Sequence, residues 1–150
     1  MPRAVVIVLG ACLLAACGSD GPSTTDVEYV PLQGAPNRPF SAAVRVGSML
    51  YLSGQIGIDE AGNLVPGGIT EETRQTLENI RRVLEANGSS MDRVVKCTAM
   101  LADISEWETM NGVYAGYFTR HLPARSAFAA SGLARGARIE LECLATVGPR

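Results

Sequence analysis

The sequence predicts one α+β domain, a sheet of short strands with two helices on one face. Three observations lead there: alternating β-type runs open and close the region, two segments with helical apolar spacing interrupt them, and Gly, Pro and Asn punctuate the junctions. With 150 residues, 47% hydrophobic and 19% charged, the chain can bury one core and is short for two.

The first residues stand apart from that domain. Arg3 precedes an apolar run, Ala4 to Ala16, too short to span a bilayer, and the run ends Leu14-Ala15-Ala16-Cys17-Gly18. Small residues directly before a cysteine form a bacterial lipoprotein signal. Residues 1–16 are therefore expected to be removed and Cys17 to be lipidated, anchoring the chain to a membrane without a spanning helix. An ordinary secretory signal cut near Ala16 is the alternative, and either one exports the protein to the cell envelope. Gly18 rather than Asp after Cys17 is the pattern of lipoproteins passed on to an outer membrane. Residues 17–39 are rich in Gly, Ser, Thr and Pro with no period, so they read as the lipidated cysteine and a flexible tether. The domain is expected over 40–150.

Within it, Ala43–Val46 and Met49–Leu52 flank Gly47-Ser48, a two-residue loop with Gly first that suits a hairpin turn. Residues 59–68 make a loop. Thr70 is placed to cap a helix with Glu71 and Glu72 in its first turn, an apolar stripe of Leu77, Ile80, Val83 and Leu84, and an Asn87-Gly88 exit. Val94 to Leu101 returns to β character. Ser105-Glu106-Trp107-Glu108 resembles a capping box opening a second helix through Trp107, Met110, Tyr114, Tyr117 and Phe118, with His121 at its end. Strands at 126–130 and 138–147 follow. Pairing them as a hairpin, Phe128 opposite Leu141 and Ser126 opposite Cys143, puts the apolar side chains inward. Arg125 and Ala127 would then share the outer face with Glu140 and Glu142. Lys96, Thr98, Val94, Met100 and Leu144 fall on that same uncovered face, which favours a second subunit there.

Charge excludes one class. The net charge is −2, cleavage at Cys17 would make it more acidic by losing Arg3, and no basic stripe exists for phosphate neutralisation, so no nucleic-acid partner is expected. Cys97 and Cys143 fall in strands on the apolar face without metal-ligand spacing and read as buried thiols, with a disulfide left open by export. Trp107 reads as a core anchor, and Tyr114 and Tyr117 as core or subunit contacts.

The segments Leu52-Ser53-Gly54-Gln55-Ile56, Thr76-Leu77-Glu78-Asn79-Ile80, Val94 to Met100, Leu122-Pro123-Ala124-Arg125-Ser126 and Ile139-Glu140-Leu141-Glu142 follow one another at the spacing of the reactive intermediate deaminase (Rid, or YjgF-type) family. The resemblance runs from about residue 37 to Val147. It implies a chorismate-mutase-like α+β fold with a mixed sheet, a homotrimer with clefts between subunits, and hydrolysis of enamines and imines to 2-oxo acids and ammonia without metal or organic cofactor. Arg125 matches the arginine that clamps the substrate carboxylate, a task suited to a planar, permanently charged guanidinium. Glu140 matches the glutamate that orders the attacking water, and Ser53 and Gly54 match positions lining the cleft. Two positions depart from many deaminating members: Phe40 stands where they carry tyrosine, and Ala127 where they carry cysteine. Both keep a place in the expected substrate pocket and imply a narrowed activity. The competing reading is an exported trimeric lipoprotein that binds small carboxylates without turnover.

Overall fold

The computed structural model of the chain describes residues 1, 26–32, 34 and 37–148. Cys17, the apolar run before it and most of the expected tether lie outside those residues. The sheet has seven strands in the order β1-β2-β3-β7-β5-β6, with β4 alongside β7. The strands are β1 (Val27–Val30), β2 (Ala43–Val46), β3 (Met49–Leu52), β4 (Gln55–Ile56), β5 (Val94–Leu101), β6 (Ala124–Ala129) and β7 (Ile139–Thr146). Of the described pairings only β5 with β6 is parallel. Helices α1 (Gly68–Ala86) and α2 (Trp107–Ala115) supply the cover. The mixed α+β sheet with two helices on one face is as expected.

The core lies between helices and sheet. Leu77, Ile80 and Leu84 of α1 and Met110 of α2 meet Leu50, Ala99, Leu101, Ile139 and Leu141, all fully buried. Strand parity leaves Tyr51, Lys96, Thr98, Met100, Phe128, Glu140, Glu142 and Leu144 on the opposite, open face. Val94 is an exception to the expected parity. The β5–β7 ladder is irregular between Val94 and Lys96, and Val94 is buried, because an extra residue in one strand flips what precedes it to the other face.

The hairpin at Gly47 forms, with Val46 opposite Met49 and Gly47 at φ 57, the left-handed conformation such turns demand. Other boundaries move. Val27–Val30 pairs with β2 inside the segment expected to be tether; three of its four side chains are exposed, so an edge strand here leaves no buried apolar period to read. The first helix starts at Gly68 after Gly67 at φ 114, with no side-chain cap, so Thr70 sits in the first turn. Asp103, not Ser105, caps the short 3-10 turn Ile104–Glu106 that leads into the second helix, its carboxylate accepting the Ser105 N–H at 2.9 Å, and the helix itself begins after Glu106 with no side-chain cap. The second helix stops at Ala115, and Phe118 reaches the core from the following turn, so His121 lies beyond the helix in an exposed stretch.

The largest correction concerns the last two strands. They are not a hairpin: β5 lies between them. The chain leaves β6 with Ala130 N–H donating to Leu101 O, crosses the end of β5, and returns where Ala102 N–H donates to Arg138 O. Hydrophobic patterning favoured Phe128 inward, but Phe128 pairs with Met100 and Ser126 with Thr98 on the open face. Arg125 and Ala127 consequently sit on the helix side, opposite in sheet face to Glu140 and Glu142.

Candidate functional site

The structure divides the expected site residues into two groups. In the first, Ser53 Oγ donates to Ser41 O at 2.7 Å and Ser53 N–H to Ala42 O at 3.1 Å, which tethers the segment carrying Phe40 to the end of β3. Gly54 follows, and its Cα lies so close to Glu140 that any side chain would run into the carboxylate. That approach explains glycine there. Glu140 is opposite Ile56 of β4, and its carboxylate accepts no hydrogen bond from the described residues. Its pKa is raised above the usual carboxylate range, first by burial and then by the like charge of Glu142.

Helix α1 holds this half in place. Asn79 Nδ2 donates to the carbonyls of Ile56 and Ile58, each at 3.0 Å, and the buried Glu72 accepts the Arg138 N–H at 2.8 Å just before β7 begins. Arg138 in turn pairs with Glu106 at 2.6 Å. The strand bearing Glu140 is therefore fixed on both sides.

The second group surrounds Arg125 on β6. Its guanidinium carbon lies 4.6 Å from the Tyr114 ring centre and 5.7 Å from that of Trp107, with Met110 Sδ 3.9 Å from Nη1. Stacking on aromatic faces holds a guanidinium by its plane and leaves its edge donors free. Among the described residues no carboxylate forms an ion pair with Arg125. Tyr114 is buried, its hydroxyl without a partner among the described residues; burial pushes its pKa up to about 12 against the opposing pull of Arg125. Ala127 lies beside the core one inward position further along β6.

The aromatic platform escaped sequence reasoning. Trp107, Met110 and Tyr114 fall on one helical stripe, the same spacing that core packing produces, and nothing local tells a residue facing Arg125 from one facing leucine. The two groups do not meet in one chain. Arg125, Cys97 and Cys143 form one cross-strand row, two strand spacings wide, and Glu140 is three residues further along β7, which places the Arg125 and Glu140 backbones about 14 Å apart on opposite faces. A depression on the open face is lined by Tyr51, Lys96, Thr98, Glu142 and Leu144 and contains neither.

Fold and site together define an α+β protein that holds one cation on an aromatic platform at the sheet edge and one carboxylate free at its centre, a pair of groups fit to handle small charged molecules. The chain belongs to the Endoribonuclease L-PSP family, whose description matches residues 32–147. It is 46% identical over 112 residues, 74% of this chain and 83% of the relative, to the mouse (Mus musculus) protein named 2-iminobutanoate/2-iminopropanoate deaminase. Among solved structures it resembles a Yersinia pestis protein described as of unknown function in the conserved Rid family, with TM-score 0.76 and 37% identity over 81% of this chain and all of that one. It also resembles RidA from a Psychrobacter species, with TM-score 0.71 and 32% identity over 83% of this chain and 98% of the other.

Proposed function

We propose that this chain hydrolyses small 2-imino acids and their enamine tautomers to 2-oxo acids and ammonia, as a homotrimer whose clefts bring Arg125 of one copy to Glu140 of the next. The observation that carries the reading is Arg125 itself: a guanidinium fixed on Trp107 and Tyr114, with no carboxylate of the described chain to neutralise it. A substrate carboxylate supplies the missing anion through two parallel hydrogen bonds. The similarity to the mouse deaminase supports the choice of substrate class.

The chemistry follows from the groups present. With the carboxylate clamped, the imine carbon is held toward a water that Glu140 orients; the raised pKa of Glu140 suits a group that takes a proton from that water and returns it to the departing nitrogen. Addition of water gives a carbinolamine, and its collapse releases ammonia and leaves the 2-oxo acid. Glycine at position 54 lets the Glu140 carboxylate lie against the backbone, in the place a side chain would take. Phe40 walls the pocket without donating a hydrogen bond, and Ala127 leaves more room than a cysteine, which narrows the preferred substrates rather than removing the reaction.

Assembly belongs to the same proposal. Because the two groups face opposite sides of one sheet, only a second copy can complete the cleft, and the open face offers Phe128, Met100 and Leu144 for the contact. Attachment to the cell envelope through a lipid on Cys17 rests on the Leu14-Ala15-Ala16-Cys17 pattern.

The test is the rate of 2-oxobutanoate and ammonia formation from freshly generated 2-iminobutanoate, for the chain from Gly18 onward and its Arg125→Ala variant. Acceleration that the variant loses is the expected result. No acceleration by either, with the assembly intact and a 2-oxo acid still bound, would replace the enzyme with a carboxylate-binding protein.

A further inference from the structure

Cys97 and Cys143 are directly opposed across the β5–β7 ladder and joined as a disulfide, with Cα atoms 4.2 Å apart and 46 residues between them in sequence. That spacing is typical of the non-hydrogen-bonded pairs of an antiparallel ladder, where facing Cβ atoms come closest. The position matters. Cys97 is also the β6-facing partner of Arg125, so the bond lies in the same cross-strand row as the clamp and on the same face. Along β7, Cys143 is three residues from Glu140. One covalent link therefore ties the strand of Glu140 to the strand on which β6 and Arg125 are laid.

The ladder it ties is one whose register matters. Its register is irregular between Val94 and Lys96, only one residue before Cys97, and a shift of one residue would turn Lys96 inward and Cys97 out. Any slip also separates the two sulfurs. Both side chains are sealed, at 0% and 1% exposure, beneath the core packing of the helices. An oxidant cannot reach them in the finished sheet, and a reductant cannot either.

We propose that Cys97 and Cys143 are oxidised to a disulfide as the chain folds in an oxidising compartment, and that this bond locks the β5–β7 register on which the Arg125 row depends. The oxidant is a disulfide-bearing thiol oxidoreductase or a small-molecule disulfide. One cysteine thiolate attacks it and releases one of its sulfurs as a thiol; the second cysteine thiolate then displaces the other from the mixed disulfide. The chain loses two protons and two electrons, and the oxidant leaves as two thiols. Once the helices close over the row, the bond is permanent rather than a switch.

The full chain recovered from an exporting host, denatured in an alkylating agent without reductant, is expected to show Cys97 and Cys143 unmodified and their peptides linked. Both peptides alkylated would overturn the proposal. Full chain reduced in denaturant and refolded with oxidised glutathione should melt on the order of 10 °C higher than the same chain refolded with dithiothreitol; equal midpoints would overturn the register-locking role. Cys97→Ala alone should lower the midpoint nearly as much as Cys97→Ala with Cys143→Ala, since either removes the same bond, whereas two additive losses would mean ordinary packing. The importance given to the Arg125 row rests on the deaminase reading. Thiol linkage and melting do not involve imine turnover, so the two ideas fail separately.

Discussion

At the scale of single residues the site turns on two charges that no described residue neutralises. Replacing Arg125 by alanine is expected to lower kcat/KM for 2-iminobutanoate about 100-fold, the cost of leaving a substrate carboxylate unpaired, and Arg125→Lys should recover only part of it because an ammonium cannot make the bidentate contact. Ammonia release measures both. Glu140 carries the opposite lesson. Burial and Glu142 raise its pKa, so its protonated form is the one the fold favours; its stabilising contribution is complete below the unfolded-state pKa and lost as pH rises through the folded one. Glu140→Gln should therefore raise the melting midpoint at neutral pH, bring no gain in acid, and abolish turnover. Glu142→Gln removes the like charge, and the acid limb of the kcat/KM profile should move to lower pH; an unmoved limb would dissociate that limb from Glu140. Arg125 and Glu140 were both legible from the Pro-Ala-Arg-Ser and Ile-Glu-Leu-Glu segments, whereas Trp107 and Tyr114 were not, because a platform and a core stripe share one spacing.

At the scale of elements, the helix α1 is the frame against which the site is set. Its Leu77, Ile80 and Leu84 stripe was evident from sequence and is fully buried. Less evident was how closely β4 approaches it: a Cβ on Gly57 would stand 2.7 Å from the Glu72 backbone, so Gly57→Ala is expected to cost about 2 kcal/mol in chemical denaturation and to disturb the Ile56–Glu140 pairing. The helix starts differ from the sequence pattern because α1 is entered through Gly67 with no side-chain cap and α2 through a short 3-10 turn that Asp103 caps. Several polar residues near a helix start compete for the capping place with little energy between them.

At the scale of the whole molecule, the open face decides whether the chain works alone. Phe128 is 47% exposed and lies on that face directly opposite Met100. If the proposed trimer forms through that face, Phe128→Glu is expected to shift sedimentation toward the monomer and to take the proposed imine turnover with it while the isolated fold persists; turnover surviving in a monomer would show that one chain suffices. Among the described residues no helix is long and apolar enough to cross a membrane.

The sequence by itself determined the fold class, both helices with their apolar stripes and the long strands β5 and β7 to within a residue at each end, and it nominated Arg125, Glu140, Ser53 and Gly54 as candidates, because periodicity and short motifs are local properties of the chain. Only the tertiary structure decided that β5 slides between β6 and β7, that Arg125 therefore faces the helices while Glu140 faces away, and that Cys97 meets Cys143. Strand order and register are set by long-range pairing. Phe128 inward in a local hairpin satisfies the pattern as well as Phe128 outward on an edge strand, and the choice between them is made by the burial of the whole sheet beneath its two helices.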